Sequence, residues 1–147
     1  MSDPAKLQVK RLIKASSAEL FEAWTKPELM QKWYAPAPMT VSAATSDLRV
    51  GGAYRIEVLK GSDTIHVEGI YKQIVPNQLL SFTWTPCMGG PSYETLVTVE
   101  FKAANGGTEV VITHEGFTDD EIKGRHEFGW NGCLDNLARV TEVVHVG

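Results

Sequence analysis

The chain has 147 residues, 43% hydrophobic and 22% charged, which fits one domain at roughly 100–200 residues per domain and excludes a disordered tail or a fold that needs disulfide or metal staples. Fourteen Lys and Arg against 18 Asp and Glu leave a net charge of −4, so there is no electrostatic reason to expect nucleic acid or an anionic membrane as partner. The N-terminus MSDPAKLQVKRLIKA has no apolar signal core and no window approaches about 18 apolar residues, so neither export nor membrane insertion is expected and the cytoplasm is the expected compartment.

From 6 to 14, Leu7, Val9, Arg11 and Ile13 share one parity, the period of a half-buried strand. Ser16 with Glu19 three residues on is capping chemistry, and Leu20, Phe21 and Trp24 follow at helical spacing. Pro27 suits the first turn of a second short helix with Leu29, Met30, Trp33 and Tyr34 on its apolar face, ended by Pro36 and Pro38.

Residues 39–115 read almost entirely as strands. Gly51-Gly52 supplies positive φ for a hairpin, and Tyr54, Ile56 and Val58 alternate with polar neighbours. Gly61-Ser62-Asp63 and Pro76-Asn77 mark turns, and Leu80, Phe82 and Trp84 share one face. Residues 86–93, with Pro86, Gly89, Gly90 and Pro91, read as a loop that no regular element tolerates. Thr95, Val97, Val99 and Phe101 alternate, Asn105-Gly106-Gly107 turns the chain, and Val110, Ile112 and His114 alternate after it. Short turns between consecutive strands require antiparallel pairing, because parallel strands need long crossovers.

The C-terminal segment changes period. Thr118 and Glu121 form a capping box, and Trp130, Leu134, Leu137, Thr141 and Val144 make one apolar stripe, extended by Ile122, His126 and Cys133. Gly124, Gly129 and Gly132 each cost about 1 kcal/mol inside a helix. Two explanations are open: a break near Gly124, or close approach of the glycine backbone to another element. The order of strand, two helices, about six strands and one long helix is α+β, in a single domain spanning 1–147.

The chemistry-bearing residues are sparse. Cys87 and Cys133 lie far apart without CxxC or a histidine at ligand spacing, so they read as free thiols and no metal site is expected. GxSxG, HExxH, P-loop and GxGxxG signatures are missing, so no catalytic residue and no cofactor is assigned, and a binder is favoured over an enzyme. His114 lies on an inner face, where it reads either as a satisfied core histidine or as a ligand-orienting group or proton shuttle. His126 and Trp130, four apart on the helix, read as packing, and His66 is uninformative.

Six blocks, in order, resemble a known family: Phe21-Glu22-Ala23-Trp24-Thr25-Lys26-Pro27-Glu28 with Trp33; Asp47-Leu48-Arg49-Val50-Gly51-Gly52; Gly69-Ile70-Tyr71; Leu79-Leu80-Ser81-Phe82-Thr83-Trp84; Thr113-His114-Glu115-Gly116-Phe117; and His126-Glu127-Phe128-Gly129-Trp130. The family is the one similar to the activator of the heat-shock protein 90 ATPase, within the START and birch-allergen-like superfamily, and the match spans about residues 6–144. The resemblance implies a helix-grip: a curved antiparallel sheet of six or seven strands wrapped around a long C-terminal helix, a cavity between them, and two short helices after the first strand. Its members bind lipids, hormones or polyketides, some act as aromatases or cyclases, and one branch stimulates the chaperone's ATPase.

The expected function is therefore binding of a small apolar or amphipathic molecule in that cavity. The alternatives are a chaperone-interaction module that stimulates an ATPase, and a small cyclase, aromatase or hydrolase working in the same cavity. In such a cavity Trp33, Tyr54, Phe82, Trp84 and Phe128 are the expected lining, with Asn131, His114 and the Tyr54 hydroxyl as polar handles. The 86–93 loop, with Cys87 and Met88, is the expected lip, and Trp24 and Trp130 are expected to be packing.

Overall fold

Side chains at every second strand position face one common interior, and the strands that carry them all pair antiparallel. The computed structural model describes residues 6–35, 39–87 and 94–146, with side chains as far as Thr141. The elements are β1 (Lys6–Ile13), α1 (Ser17–Thr25), α2 (Pro27–Met30), β2 (Thr40–Ser46), β3 (Ala53–Lys60), β4 (Asp63–Val75), β5 (Leu79–Cys87), β6 (Thr95–Ala104), β7 (Gly107–Glu115) and α3 (Asp120–Val146). β2 to β7 follow one another as a meander, and β1 adds beside β7, giving the order β1-β7-β6-β5-β4-β3-β2. This is a curved antiparallel sheet with a long C-terminal helix, as expected, and of the six or seven strands expected the sheet has seven.

Local chemistry accounts for the joints. The Ser16 hydroxyl accepts the Glu19 N–H at 3.1 Å and starts α1. Gly51, at φ 87°, turns the chain between β2 and β3, where an L side chain would be strained. α2 is shorter than its apolar face suggests: it ends at Met30, and the chain continues as turns through Trp33 and Tyr34, both of whose N–H groups reach the Met30 carbonyl. Pro36 and Pro38, read as its terminators, lie outside the described residues.

Three expectations are corrected. Pro86 is not in a loop: it pairs with Val67 inside β5, beyond the last β6 partner at Trp84–Thr95, where only one side of the strand is laddered. Residues 88–93 of the expected lip lie outside the described residues. The cap of α3 is Asp119 rather than Thr118, since its Oδ1 accepts the N–H groups of Glu121 at 2.8 Å and Ile122 at 3.3 Å. A carboxylate at the positive end of the helix is favoured there by charge as well as by hydrogen bonding. Finally, α3 neither breaks at Gly124 nor uses Gly124 or Gly129 for close approach, because a Cβ at either would meet nothing within 4 Å.

The core fills the space between sheet and α3. Leu7, Val9 and Ile13 from β1, Ile56 and Val58 from β3, Leu80 and Phe82 from β5, Val97 and Val99 from β6 and Val110 and Ile112 from β7 join Trp130, Cys133, Leu134 and Leu137 of α3. α1 and the turn after α2 add Leu20, Trp24, Met30, Trp33 and Tyr34. At the rim, the Arg11 guanidinium meets Asp135 of α3 at 2.7 Å.

Candidate functional site

A buried histidine, His114, and a half-buried one, His126, sit where β5, β6, β7 and α3 converge. His114 is fully buried on β7, its Nδ1 accepts the Trp130 indole N–H at 3.0 Å, and its Nε2 meets Thr95 Oγ1 at 2.6 Å. An indole nitrogen only donates, so Nδ1 must be the acceptor and the proton sits on Nε2. Thr95 then accepts from His114, and its own hydroxyl donates to the Trp84 carbonyl at 3.0 Å. His126 has the opposite tautomer: its Nε2 accepts the Trp84 indole N–H at 3.3 Å, so Nδ1–H donates to the Ile122 carbonyl at 2.9 Å.

Both rings are held neutral. Burial, with nearby His126 adding to it, pushes His114 down to about 2. Burial also lowers His126, opposed by its bond to Ile122. Protonating either ring would set a new N–H against an indole N–H. With both nitrogens of His114 engaged and the ring sealed from solvent, the geometry is that of a satisfied core histidine and is poorly suited to proton shuttling. The rings of Trp84, Phe117 and Trp130 pack around this pair.

A second group of polar tips lies further along the interior. The Tyr54 hydroxyl donates to the Thr83 carbonyl at 2.6 Å, and Ile70 N–H donates to Thr83 Oγ1 at 2.8 Å. These two bonds span a gap in the β4–β5 ladder between the pairs Glu68–Thr85 and Tyr71–Phe82. Gly69 is required there, since a Cβ would lie 1.9 Å from the Thr83 carbonyl oxygen. The Tyr71 hydroxyl bonds Ser46 at 2.7 Å. Burial raises Tyr34 well above the usual phenol range, and the nearness of Tyr54, Tyr71 and Cys133 raises it further. These four groups therefore face one shared interior. Trp24 Nε1 is buried there without a hydrogen-bond partner, although it lies close enough to the Tyr34 hydroxyl to oppose that rise. A fully buried orphan donor is uncommon and costs about 1–3 kcal/mol.

The expected lining separates into two sets. Trp33, Tyr54, Phe82 and His114 are buried and Trp84 is partly so. Phe128 and Asn131 are not inside. Phe128 is 74% exposed, and Asn131 is exposed with its amide donating to the Glu127 carbonyl. The stripe through Trp130, Cys133, Leu134 and Leu137 sets the inner face of α3, and positions 128 and 131 fall off it.

The polar residues of a surface pocket beside α3 were missed by sequence reasoning. A pocket of about 260 Å³ opens between the turn after α2, β2 and α3. Its lining combines apolar residues (Trp33, Ala35, Met39 and Val41) with polar ones (Gln31, Lys32, Thr40, Asn136 and Arg139). Asn136 donates to the Ala35 carbonyl at 2.8 Å and accepts from Arg139, so α3 both holds the 33–35 turn and orients a guanidinium. Neither Lys32 nor Arg139 forms an ion pair among the described residues. Lys32, Asn136 and Arg139 resemble ordinary surface polar residues in one dimension, and only Trp33 of the pocket was foreseen.

The family model described as "Activator of Hsp90 ATPase homolog 1-like protein" matches residues 14–142. Among solved structures, a protein from Rhizobium leguminosarum is similar at 30% identity and a TM-score of 0.81, over 94% of each chain. The AHSA1 protein from Silicibacter pomeroyi is 25% identical, with a TM-score of 0.84 over 96% of this chain and 100% of that one. A protein from Chromobacterium violaceum shares the fold at 24% identity and a TM-score of 0.85, over 95% of this chain and 99% of that one. No curated protein matches.

Proposed function

The chain belongs to the activator of Hsp90 ATPase homolog 1-like family, and on that premise we propose that it binds a small amphipathic molecule at the opening between sheet and α3. The observation that carries this reading is the pocket of about 260 Å³ with its mixed apolar and polar lining. Trp33, Met39 and Val41 offer contact to an apolar body, while Lys32, Asn136 and Arg139 face the polar end. Two cations that form no ion pair among the described residues, in a chain of net charge −4, favour an anionic or strongly hydrogen-bond-accepting end. Binding is the whole activity in this reading: the ligand is held and shielded, and His114 acts through packing.

Melting-temperature shifts with dodecanoate, dodecanol and the flavonoid naringenin test the proposal. A ligand that binds only the folded state stabilises it by about 2.7 kcal/mol at a hundred times its Kd. At least one compound is expected to give a saturable rise, and Val41→Trp, which fills the pocket, is expected to abolish it. No shift with any of the three, or an undiminished shift in Val41→Trp, would overturn the reading. The description of the family names an ATPase activator, so stimulation of an Hsp90 ATPase without any ligand shift would favour a chaperone-interaction module instead.

A further inference from the structure

Away from that pocket, on the outer face of the sheet, register brings together three side chains that sequence spacing keeps apart. His66 and Cys87 are direct cross-strand partners on β4 and β5, and Glu68 lies two residues along β4 on the same face. Glu68 Oε1 is 3.9 Å from His66 Nε2 and 3.7 Å from Cys87 Sγ, and one donor atom from each residue lies within 4.8 Å of both others. The imidazole is 25% exposed and the carboxylate 50%, so the group is open to solvent on a laddered surface. We propose that His66, Glu68 and Cys87 bind a borderline-soft divalent cation of the Zn²⁺ type.

The donor set points to that class. Imidazole nitrogen, thiolate sulfur and carboxylate oxygen together suit Zn²⁺ and exclude the all-oxygen preference of Mg²⁺ and Ca²⁺. With bonds of about 2.0–2.3 Å, a tetrahedral Zn²⁺ needs its ligand atoms roughly 3.3–3.6 Å apart. The observed separations reach that by small side-chain rotations, leaving the fourth position to water. On binding, the Cys87 S–H bond breaks, the proton goes to the buffer, and a sulfur–metal bond forms without any change of oxidation state. Glu68 then exchanges the thiol hydrogen bond for the metal, and thiolate and carboxylate together balance the two positive charges. Across β3, Arg55 faces Glu68 and Glu57 faces His66, and these two pair with each other at 3.1 Å.

Titration of the reduced, untagged, chelator-treated chain with Co²⁺ tests this. A thiolate-to-cobalt charge-transfer band is expected, saturating at one ion per chain and displaced by Zn²⁺. Cys87→Ser is expected to lose the band and His66→Ala to weaken binding at least about tenfold, with circular dichroism of both variants unchanged. Cys133→Ala is expected to keep it, and Zn²⁺ is expected to raise the melting temperature of the wild type but not of Cys87→Ser. Absence of the band in the wild type, or its persistence in Cys87→Ser, would overturn the proposal.

Discussion

His114 and His126 show how one indole sets the state of a neighbouring imidazole. Trp130 and Trp84 each give an N–H to a histidine, which fixes opposite tautomers and keeps both rings neutral. Trp130→Phe keeps a ring but leaves His114 Nδ1 unpaired, at an expected cost of about 1–3 kcal/mol. Trp130→Ala also opens a void, for roughly 3–5 kcal/mol. Urea denaturation of both variants checks the order. The same neutrality sets a pH dependence. Both histidines ionise below their ordinary range, about 6.5, when folded, so the unfolded chain takes up protons that the native chain refuses. Their contribution is fully present above about pH 6.5 and is lost as the pH falls toward the folded values, about 2 for His114. For His114 the slope approaches about 1.4 kcal/mol per pH unit well below 6.5 and above its folded value of about 2. Stability measured from pH 6.5 to 4.5 is expected to fall less steeply in His126→Asn than in the wild type, and equal slopes would contradict this account.

Glycines in the two kinds of element carry opposite predictions. Gly124 and Gly129 sit inside α3 with open space where a Cβ would stand. Alanine at either is expected to stabilise by about 0.4–1 kcal/mol, through helix propensity and a less flexible unfolded chain. Gly69 in β4 is the reverse case, because a methyl group there meets the Thr83 carbonyl oxygen at 1.9 Å and Tyr54 Cε1 at 2.6 Å. Gly69→Ala is expected to lower the melting temperature by far more than the helix substitutions raise it. Tyr54→Phe, at the same gap in the ladder, leaves the Thr83 carbonyl without its hydroxyl partner and is expected to cost about 1–3 kcal/mol. Thermal melts of the four variants read these effects directly. The Tyr54 hydroxyl, expected from its polar tip to meet a ligand, is committed to the sheet instead.

For the whole molecule, the distribution of charge matters more than its sum. Net charge −4 repels an anion at long range, yet Lys32 and Arg139 line the pocket and form no ion pair among the described residues. If an amphiphile binds there, dodecanoate is expected to bind more tightly than dodecanol. That preference is expected to shrink in Arg139→Gln, and with added salt because the cations are exposed and screened. Titration calorimetry of both compounds, at low and high salt, measures it; equal preference in wild type and variant would remove Arg139 from the site. Among the described residues no helix is long and apolar enough to cross a membrane.

The alternation of Tyr54–Ile56–Val58, Leu80–Phe82–Trp84 and Val110–Ile112–His114, broken by short turns, was enough to determine an antiparallel sheet and its inner face. Period two along a strand and period 3.6 along α3 are local properties, and local properties are written in the chain itself. Three features belong to the tertiary structure alone. Tautomers at His114 and His126 depend on indoles 16 and 42 residues away. The pocket exists only where Lys32, Val41 and Arg139, remote in sequence, meet at one opening. The His66–Glu68–Cys87 group depends on strand register, which a slip of one residue would undo by turning the slipped strand's side chains to the other face. Spacing along the chain kept Cys87 and His66 apart, whereas the pairing of β4 with β5 makes them neighbours, because a ladder brings together residues that the turn between them separates.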